Sequence, residues 1–259
     1  MSSEERKEII LKKLGEHGIV RIAHLSKQLK ASRETIRKDL YELEKEKLIK
    51  KVHGGAVRDS SNQETEYEKR MLEQEAGKKK IAEKALSYIE NGDTIYLDFG
   101  TTTYHLAKLL NKFTDITVVT NSFPIINIII HYENVRVIIP GGILRRNEGT
   151  LIGPFATNNM SKIFVDIGFF GCGGIDAKNG MTNFHMDESE VSKRMIKQSQ
   201  TTIILADSSK IGVTALNHMA DLSMIDIIIT DKVIPDSDQL EEIGKQVALE
   251  ITEKGERAN

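Results

Sequence analysis

Seven short aliphatic runs punctuate the C-terminal two-thirds of the chain: "TIYLD" (94–98), "ITVVT" (116–120), "VRVII" (135–139), "IFVDIGFF" (163–170), "TIILAD" (202–207), "IDIIIT" (225–230) and the less regular "VALEI" (247–251). Most are continuous rather than alternating. A strand that is apolar on both sides is covered on both sides, so runs of this kind separated by helix-like segments predict a mostly parallel sheet between helices, an α/β domain. The first intervening helix is legible in "KKKIAEKALSYIENGD", where Ile81, Ala82, Ala85, Leu86 and Ile89 share a face and Gly92 ends it.

Open parallel sheets bind ligands beyond the carboxyl ends of their strands. There the sequence places "DFGTTT" (98–103), "TNS" (120–122), "GG" (141–142) and "DSSK" (207–210) after the first, second, third and fifth runs. Each suits an oxyanion: glycine admits backbone N–H groups, the hydroxyls of Thr101, Thr102 and Ser122 donate, a following helix start adds partial positive charge, and Lys210 supplies a point charge. Taken singly, each is equally a helix cap or a turn. Together they predict a site for an anionic small molecule.

The first 58 residues have a different balance. They hold 15 Lys+Arg against 9 Asp+Glu, whereas the whole chain has a net charge of −2, so the remainder is acidic. A basic part beside an acidic one points to a polyanionic partner for the former. Its pattern predicts a helix over 3–16 with Ile10, Leu11 and Leu14 inward, closed with the help of Gly15 and Gly18. A short strand over 20–22 and a helix over 23–30 carrying Leu25 and Leu29 follow. After Ala31, Ser32 is placed to cap a helix running to about Glu46, with Ile36, Leu40 and Leu43 buried and Arg33, Glu34, Arg37, Lys38 and Tyr41 outward. Then "LIKKVHGGAV" alternates and turns at Gly54-Gly55, as a two-stranded wing would. Helix, short turn, helix and wing are the parts of a DNA-reading module whose second helix enters the major groove. Candidate DNA contacts are Ser32, Arg33, Thr35, Arg37, Lys38, Lys50, Lys51, His53, Gly54 and Gly55. A cationic helix face alone accounts for the charge but not for this order.

The stretch "TIRKDLYELEKEKLIKKVHGGAV" (35–57) resembles the winged helix-turn-helix signature of the DeoR-type bacterial transcriptional regulators, in its Thr-Ile-Arg-Lys-Asp-Leu helix and its His-Gly-Gly-Ala wing. The C-terminal landmarks, Asp-x-Gly-Thr-Thr, Thr-Asn-Ser, Gly-Gly, a glycine-rich segment and Ser-Lys, are similar in order to the effector domain of that family. The resemblance implies a domain similar in fold to ribose-5-phosphate isomerase that senses phosphorylated sugars. It carries effector binding onto Asp98, Gly100, Thr101, Thr102, Thr120, Asn121, Ser122, Gly141, Gly142 and Lys210, with Glu188 a weaker candidate for a sugar hydroxyl.

The organisation expected is a winged helix-turn-helix over 1–58, a polar connector over 59–75 and an α/β sensor over 76–259. The rival is a sugar-phosphate isomerase-like enzyme. Sugar isomerisation needs a carboxylate base over the substrate, and the isomerases have a strand ending Asp-Gly-Ala-Asp-Glu where this chain reads Phe170-Gly171-Cys172-Gly173-Gly174. Asp166, within a strand, and Asp176, in a glycine-rich loop, do not inherit the position, so no catalysis is expected. No His, Cys or Asp cluster has metal-ligand spacing, and no cofactor is expected. Cys172, the single cysteine, excludes an internal disulfide and is expected to be a small buried apolar residue. Without a secretory signal or a run long enough to span a bilayer, the chain is expected in the cytoplasm, bound to double-stranded operator DNA as a homodimer or homotetramer and repressing a carbohydrate-use operon.

Overall fold

Covering both faces of a sheet is what continuous aliphatic strands require, and the five inner runs of the sheet meet that requirement, while the two edge runs, 135–139 and 247–251, are only partly covered. The computed structural model describes residues 2–17, 19–45, 48–52, 54–58, 67–233 and 238–252, in two units, Met1–Gln63 and Glu64–Asn259.

The N-terminal unit consists of α1 (Ser3–His17), β1 (Ile19–Arg21), α2 (Ile22–Gln28), α3 (Arg33–Lys45), β2 (Ile49–Val52) and β3 (Gly55–Arg58). Its core gathers Ile10, Leu14, Leu25, Leu29, Ile36, Leu40 and Leu43, the stripes read from the sequence, and adds Ile49 and Ala56 from the wing. Burying a side chain of this size is worth roughly 1.5–3 kcal/mol, enough for a few of them to hold a small module. Two features differ from the sequence reading. Gly15 does not interrupt α1, because the helix continues to His17 and an isolated glycine costs it only about 1 kcal/mol. The wing is three-stranded, in the order β1-β3-β2, both pairs antiparallel. Glu46 and Gly18, named above as helix ends, lie outside the described residues.

The C-terminal unit begins with α4 (Tyr67–Leu72) and α5 (Glu75–Ala85), then alternates β4 (Thr94–Leu97), α6 (Thr101–Ala107), β5 (Ile116–Thr120), α7 (Phe123–Ile129) and β6 (Val135–Ile138). A hairpin of β7 (Ile143–Arg145) and β8 (Thr150–Ile152) leads to α8 (Pro154–Met160) and β9 (Val165–Phe170). Next come β10 (Gly174–Asp176), β11 (Gly180–Asn183), α9 (Met186–Gln198), β12 (Ser199–Leu205), β13 (Asn217–Ala220), β14 (Ile227–Thr230), α10 (Asp238–Gly244) and β15 (Ala248–Ile251). The seven aliphatic runs form one sheet, β15-β14-β12-β9-β4-β5-β6, parallel at every pairing. Alternate residues serve opposite layers: Tyr96, Phe170 and Ile204 pack into one core, while Ile95, Leu97, Phe169, Ile203 and Leu205 pack into the other. The small antiparallel sheets, β7-β8 and β10-β11-β13, were not legible in the sequence. They also place Asp176 at the end of β10 rather than in a loop.

Candidate functional site

The chain leaves β4 toward β5 and β6 on one side, and from β9 toward β12, β14 and β15 on the other, so the winding direction reverses between β4 and β9. A crevice opens at such a switch point because the connections leave in opposite directions. A cleft is found there, lined by the ends of β4 (Phe99–Thr102), β9 (Gly171, Cys172) and β12 (Leu205, Asp207, Ser209, Lys210), by Asn183 of β11, by Arg70 of α4 and Lys78 of α5, and by Glu73 and Gln74 between those two helices.

The sequence builds each wall locally. Gly100 turns the chain from β4 into α6 at φ +139°, a conformation that side chains avoid, and its carbonyl accepts from Thr103 Oγ1 at 3.1 Å. Thr101 and Thr102 follow, both buried, in the lining of the cleft. After β12, Asp207 Oδ1 accepts from the Ser209 amide at 3.0 Å, and the Lys210 amide donates to the Asp207 carbonyl at 2.9 Å. This tight turn presents Lys210 to the cleft. Helix α5 approaches closely because Gly77 lies against Asp231, where an added Cβ would come within 2.6 Å of Oδ2. Lys78 is thereby almost fully buried, and its ammonium donates to the Glu73 carbonyl at 2.7 Å and to the Arg70 carbonyl. Lys78 and Lys210 bring positive charge to the cleft beside Glu73 and Asp207, while the Arg70 guanidinium at its edge is paired with buried Glu148. Donors and positive charge in a partly enclosed space favour an anion bearing oxygen acceptors.

Of the ten effector residues named from the sequence, Gly100, Thr101, Thr102 and Lys210 line this cleft. The other six stand elsewhere. Asp98 is fully buried behind it, accepting from Tyr96 Oη and Ser192 Oγ, both at 2.9 Å. Thr120, Asn121 and Ser122 are also buried: Thr120 Oγ1 accepts from the Ser122 amide at 3.2 Å, and Asn121 Nδ2 donates to the Leu151 carbonyl at 3.2 Å. They brace the end of β5 against the β7-β8 hairpin. Gly141 and Gly142 follow β6, the edge strand, where they turn the chain toward β7 and Gly142 passes close to the Ile152 carbonyl. Glu188, in the first turn of α9, accepts from Arg145 Nη1 at 2.9 Å and from Thr150 Oγ1, so it ties the hairpin to the helix. Cys172 is half-buried in the cleft wall rather than deep in a core, with its thiol pushed up to about 12 by desolvation.

Sequence reasoning missed Lys78 and Asn183. For Lys78 a signal existed, since it stands three, four and seven residues before Ile81, Ala82 and Ala85 and so belongs to the buried face of α5.

In the N-terminal unit, Ser32, Thr35, Arg37, Lys38 and Lys51 border one open groove along α3. Ser32 Oγ accepts from the Thr35 amide at 3.0 Å, the expected cap, and contacts the Thr35 hydroxyl at 2.8 Å. Arg37 is exposed, its Nη1 3.2 Å from Glu34 Oε2, and Arg33 and Lys38 are exposed as well. Lys51 reaches back to α3, 3.0 Å from Glu44 Oε2 and 4.9 Å from the Tyr41 ring centre. Gly54 is exposed at φ +79°, whereas Gly55 is buried because β1 crosses it: a Cβ there would lie 2.0 Å from the Val20 carbonyl oxygen. Lys50 belongs to β2; His53 lies outside the described residues. The Asp of the signature, Asp39, is internal, held by Arg6 Nε at 2.7 Å and Ser3 Oγ at 2.8 Å, and braces α3 against α1.

Comparison with known proteins places these features in a wider group. A family model described as the DeoR-like helix-turn-helix domain matches residues 6–62, and one described as the DeoR C terminal sensor domain matches residues 73–232. The chain is 36% identical over 228 residues to the uncharacterized HTH-type transcriptional regulator YulB of Bacillus subtilis, covering 88% of each protein. It is 32% identical over 235 residues to the glycerol-3-phosphate regulon repressor of Escherichia coli, covering 91% of this chain and 93% of that one. Among solved structures it is similar to ribose 5-phosphate isomerase A of Methanocaldococcus jannaschii, with TM-score 0.39 and 18% identity over 52% of this chain and 54% of that one, too loose a likeness to argue chemistry from.

Proposed function

The chain belongs to the DeoR family of transcriptional regulators, and on that footing we propose that it represses a carbohydrate-use operon under control of a phosphorylated sugar or polyol held in the C-terminal cleft. The observation that carries the reading is the meeting of Thr101, Thr102 and Lys210 at the switch point of a parallel sheet. Hydroxyl donors and an ammonium complement a phosphate ester, and a related repressor is named for the glycerol-3-phosphate regulon. The N-terminal unit binds operator DNA through the exposed face of α3, and the wing contacts the backbone.

The cleft is a binding site and not a catalytic one. Its acidic groups are Asp207, committed to Ser209, and the exposed Glu73. Neither is poised as a base over a substrate. Reading paired half-sites calls for a dimer or tetramer, which light scattering at operator-binding concentrations tests, and the site of action is the cytoplasm, where operator DNA is. Among the described residues no helix is long and apolar enough to cross a membrane.

The direct test is to titrate phosphorylated sugars and polyols into the full chain and follow its melting temperature, since a ligand that binds only the folded state raises it. The reading expects a rise with one sugar-phosphate class and none with the unphosphorylated parent sugar. A rise with the parent sugar alone refutes it.

A further inference from the structure

Lys78 is a buried ammonium held by carbonyls rather than by a carboxylate. Its hydrogen bonds go to two carbonyls at the end of α4, those of Arg70 and Glu73. Helices leave their last carbonyls without intrahelical partners, so this lysine closes the C-terminal end of α4. The same side chain lines the cleft with Thr101, Thr102 and Lys210. Burial lowers its pKa, and Lys210 and Arg70 add to that effect against the opposing pull of Asp207 and Glu73. The ammonium is thus held in a place that favours its charge poorly.

The joint that Lys78 holds is itself unusual. Gln74 connects α4 to α5 in a left-handed conformation, φ +52°, that L side chains adopt only at a cost, and it too borders the cleft. Helix α4 is the first described element on the covalent path from the DNA-binding unit into the sensor.

We propose that Lys78 couples the cleft to the connector: an anionic ligand held by Thr101, Thr102 and Lys210 draws its ammonium away from the Arg70 and Glu73 carbonyls, which uncaps α4 and frees the Gln74 joint to turn. The proposal rests on the reading of the cleft as a phosphate-ester site. The competition is unequal, because a phosphate offers the ammonium a full countercharge where the carbonyls offer only dipoles, and in a desolvated site the difference is little screened. A ligand shifts the state of a protein only through unequal affinity for its two forms. Here the inequality arises from one ammonium that serves either the helix end or the ligand.

The experiment is hydrogen–deuterium exchange on the full chain with and without saturating inorganic phosphate, compared with chloride at equal ionic strength. In the wild type, phosphate is expected to slow exchange at residues 100–103 and to speed exchange at 71–73 by about tenfold, as an uncapped helix end opens more often. Lys78→Met should exchange fast at 71–73 from the start and show no further change with phosphate, while Lys78→Arg should keep the wild-type response. Slowed exchange at 100–103 with unchanged or slowed exchange at 71–73 overturns the coupling and leaves the ligand site standing. A wild-type response retained by Lys78→Met also overturns it. No effect at 100–103 overturns the phosphate site and the coupling together. Should Lys78→Met fail to fold, the wild-type comparison decides alone.

Discussion

Tyr96 and Asp98, two residues apart on one face of the β4 run, are both fully buried and joined at 2.9 Å between Tyr96 Oη and Asp98 Oδ1. The same hydroxyl lies 3.1 Å from Asn121 Oδ1, an orientation fixed by the bond from Asn121 Nδ2 to Leu151. One hydroxyl proton faces two acceptors, a conflict that a protonated Asp98 resolves by supplying a second proton. Burial pushes the Asp98 carboxyl up to about 8, against the pull of the bonds from Ser192 and Tyr96.

A pH dependence follows. The folded value lies above the ordinary 3.8, so the protonated carboxyl's contribution to stability is fully present below pH 3.8 and is lost as pH rises through about 8. Asp98→Asn stays neutral with nearly the same shape and should flatten that decline. Urea unfolding across this interval measures it; parallel stability profiles for variant and wild type would contradict a protonated Asp98.

On DNA, Arg37 and Lys38 should behave differently although both are exposed on α3. An arginine reading a guanine edge is worth about 1–3 kcal/mol, whereas a lysine on phosphate weakens all sequences alike and lowers the salt slope by about one ion. Arg37→Ala is expected to lose discrimination between operator and unrelated duplex, and Lys38→Ala to lose affinity for both. Competition binding at several salt concentrations tests this, and wild-type discrimination by Arg37→Ala would remove it from the reading face.

Gly54 and Gly55 should separate as sharply. Gly54→Ala meets no atom within 4 Å and bears only the strain of φ +79°, about 1–2 kcal/mol. Gly55→Ala drives a methyl group to 2.0 Å from the Val20 oxygen, so β1 must part from β3. We expect Gly54→Ala to fold and bind DNA, and Gly55→Ala to lose the wing and operator binding together, as followed by thermal unfolding. Equal stability of the two would contradict the close strand crossing at Gly55.

How far the sequence could be read follows from the kind of constraint each residue obeys. Periodicity reports burial, so the seven strands and the Ile36-Leu40-Leu43 stripe were visible and fell within a residue or two of their places, apart from shifted edges such as Ser199–Leu205. Position along a sheet edge is not periodic. Thr120, Asn121 and Ser122 resemble ligand groups in sequence because hydroxyls and amides that bind oxyanions are the same groups that satisfy a buried strand end, and only the strand order shows that β5 lies beyond the crevice. Gly55 looked like a turn or phosphate-contact residue because the crossing of β1, over thirty positions earlier, leaves no local mark. Lys78 was hidden among three consecutive lysines, although its helical register with Ile81 and Ala85 placed it inside.

The central claim is that operator binding answers to a phosphate ester held by Thr102 and Lys210. The measurement that tests it most directly is operator affinity of the wild type, Thr102→Val and Lys210→Ala, each with and without the sugar phosphate that raises the wild type's melting temperature. Both variants are expected to bind the operator within about twofold of wild type when ligand is absent and to have lost the response to ligand, since a hydrogen bond to a charged group such as a phosphate is worth about 1.5–3 kcal/mol, whether a threonine hydroxyl or a lysine ammonium donates it. A full ligand response in both variants would contradict it and would put the effector site elsewhere in the protein.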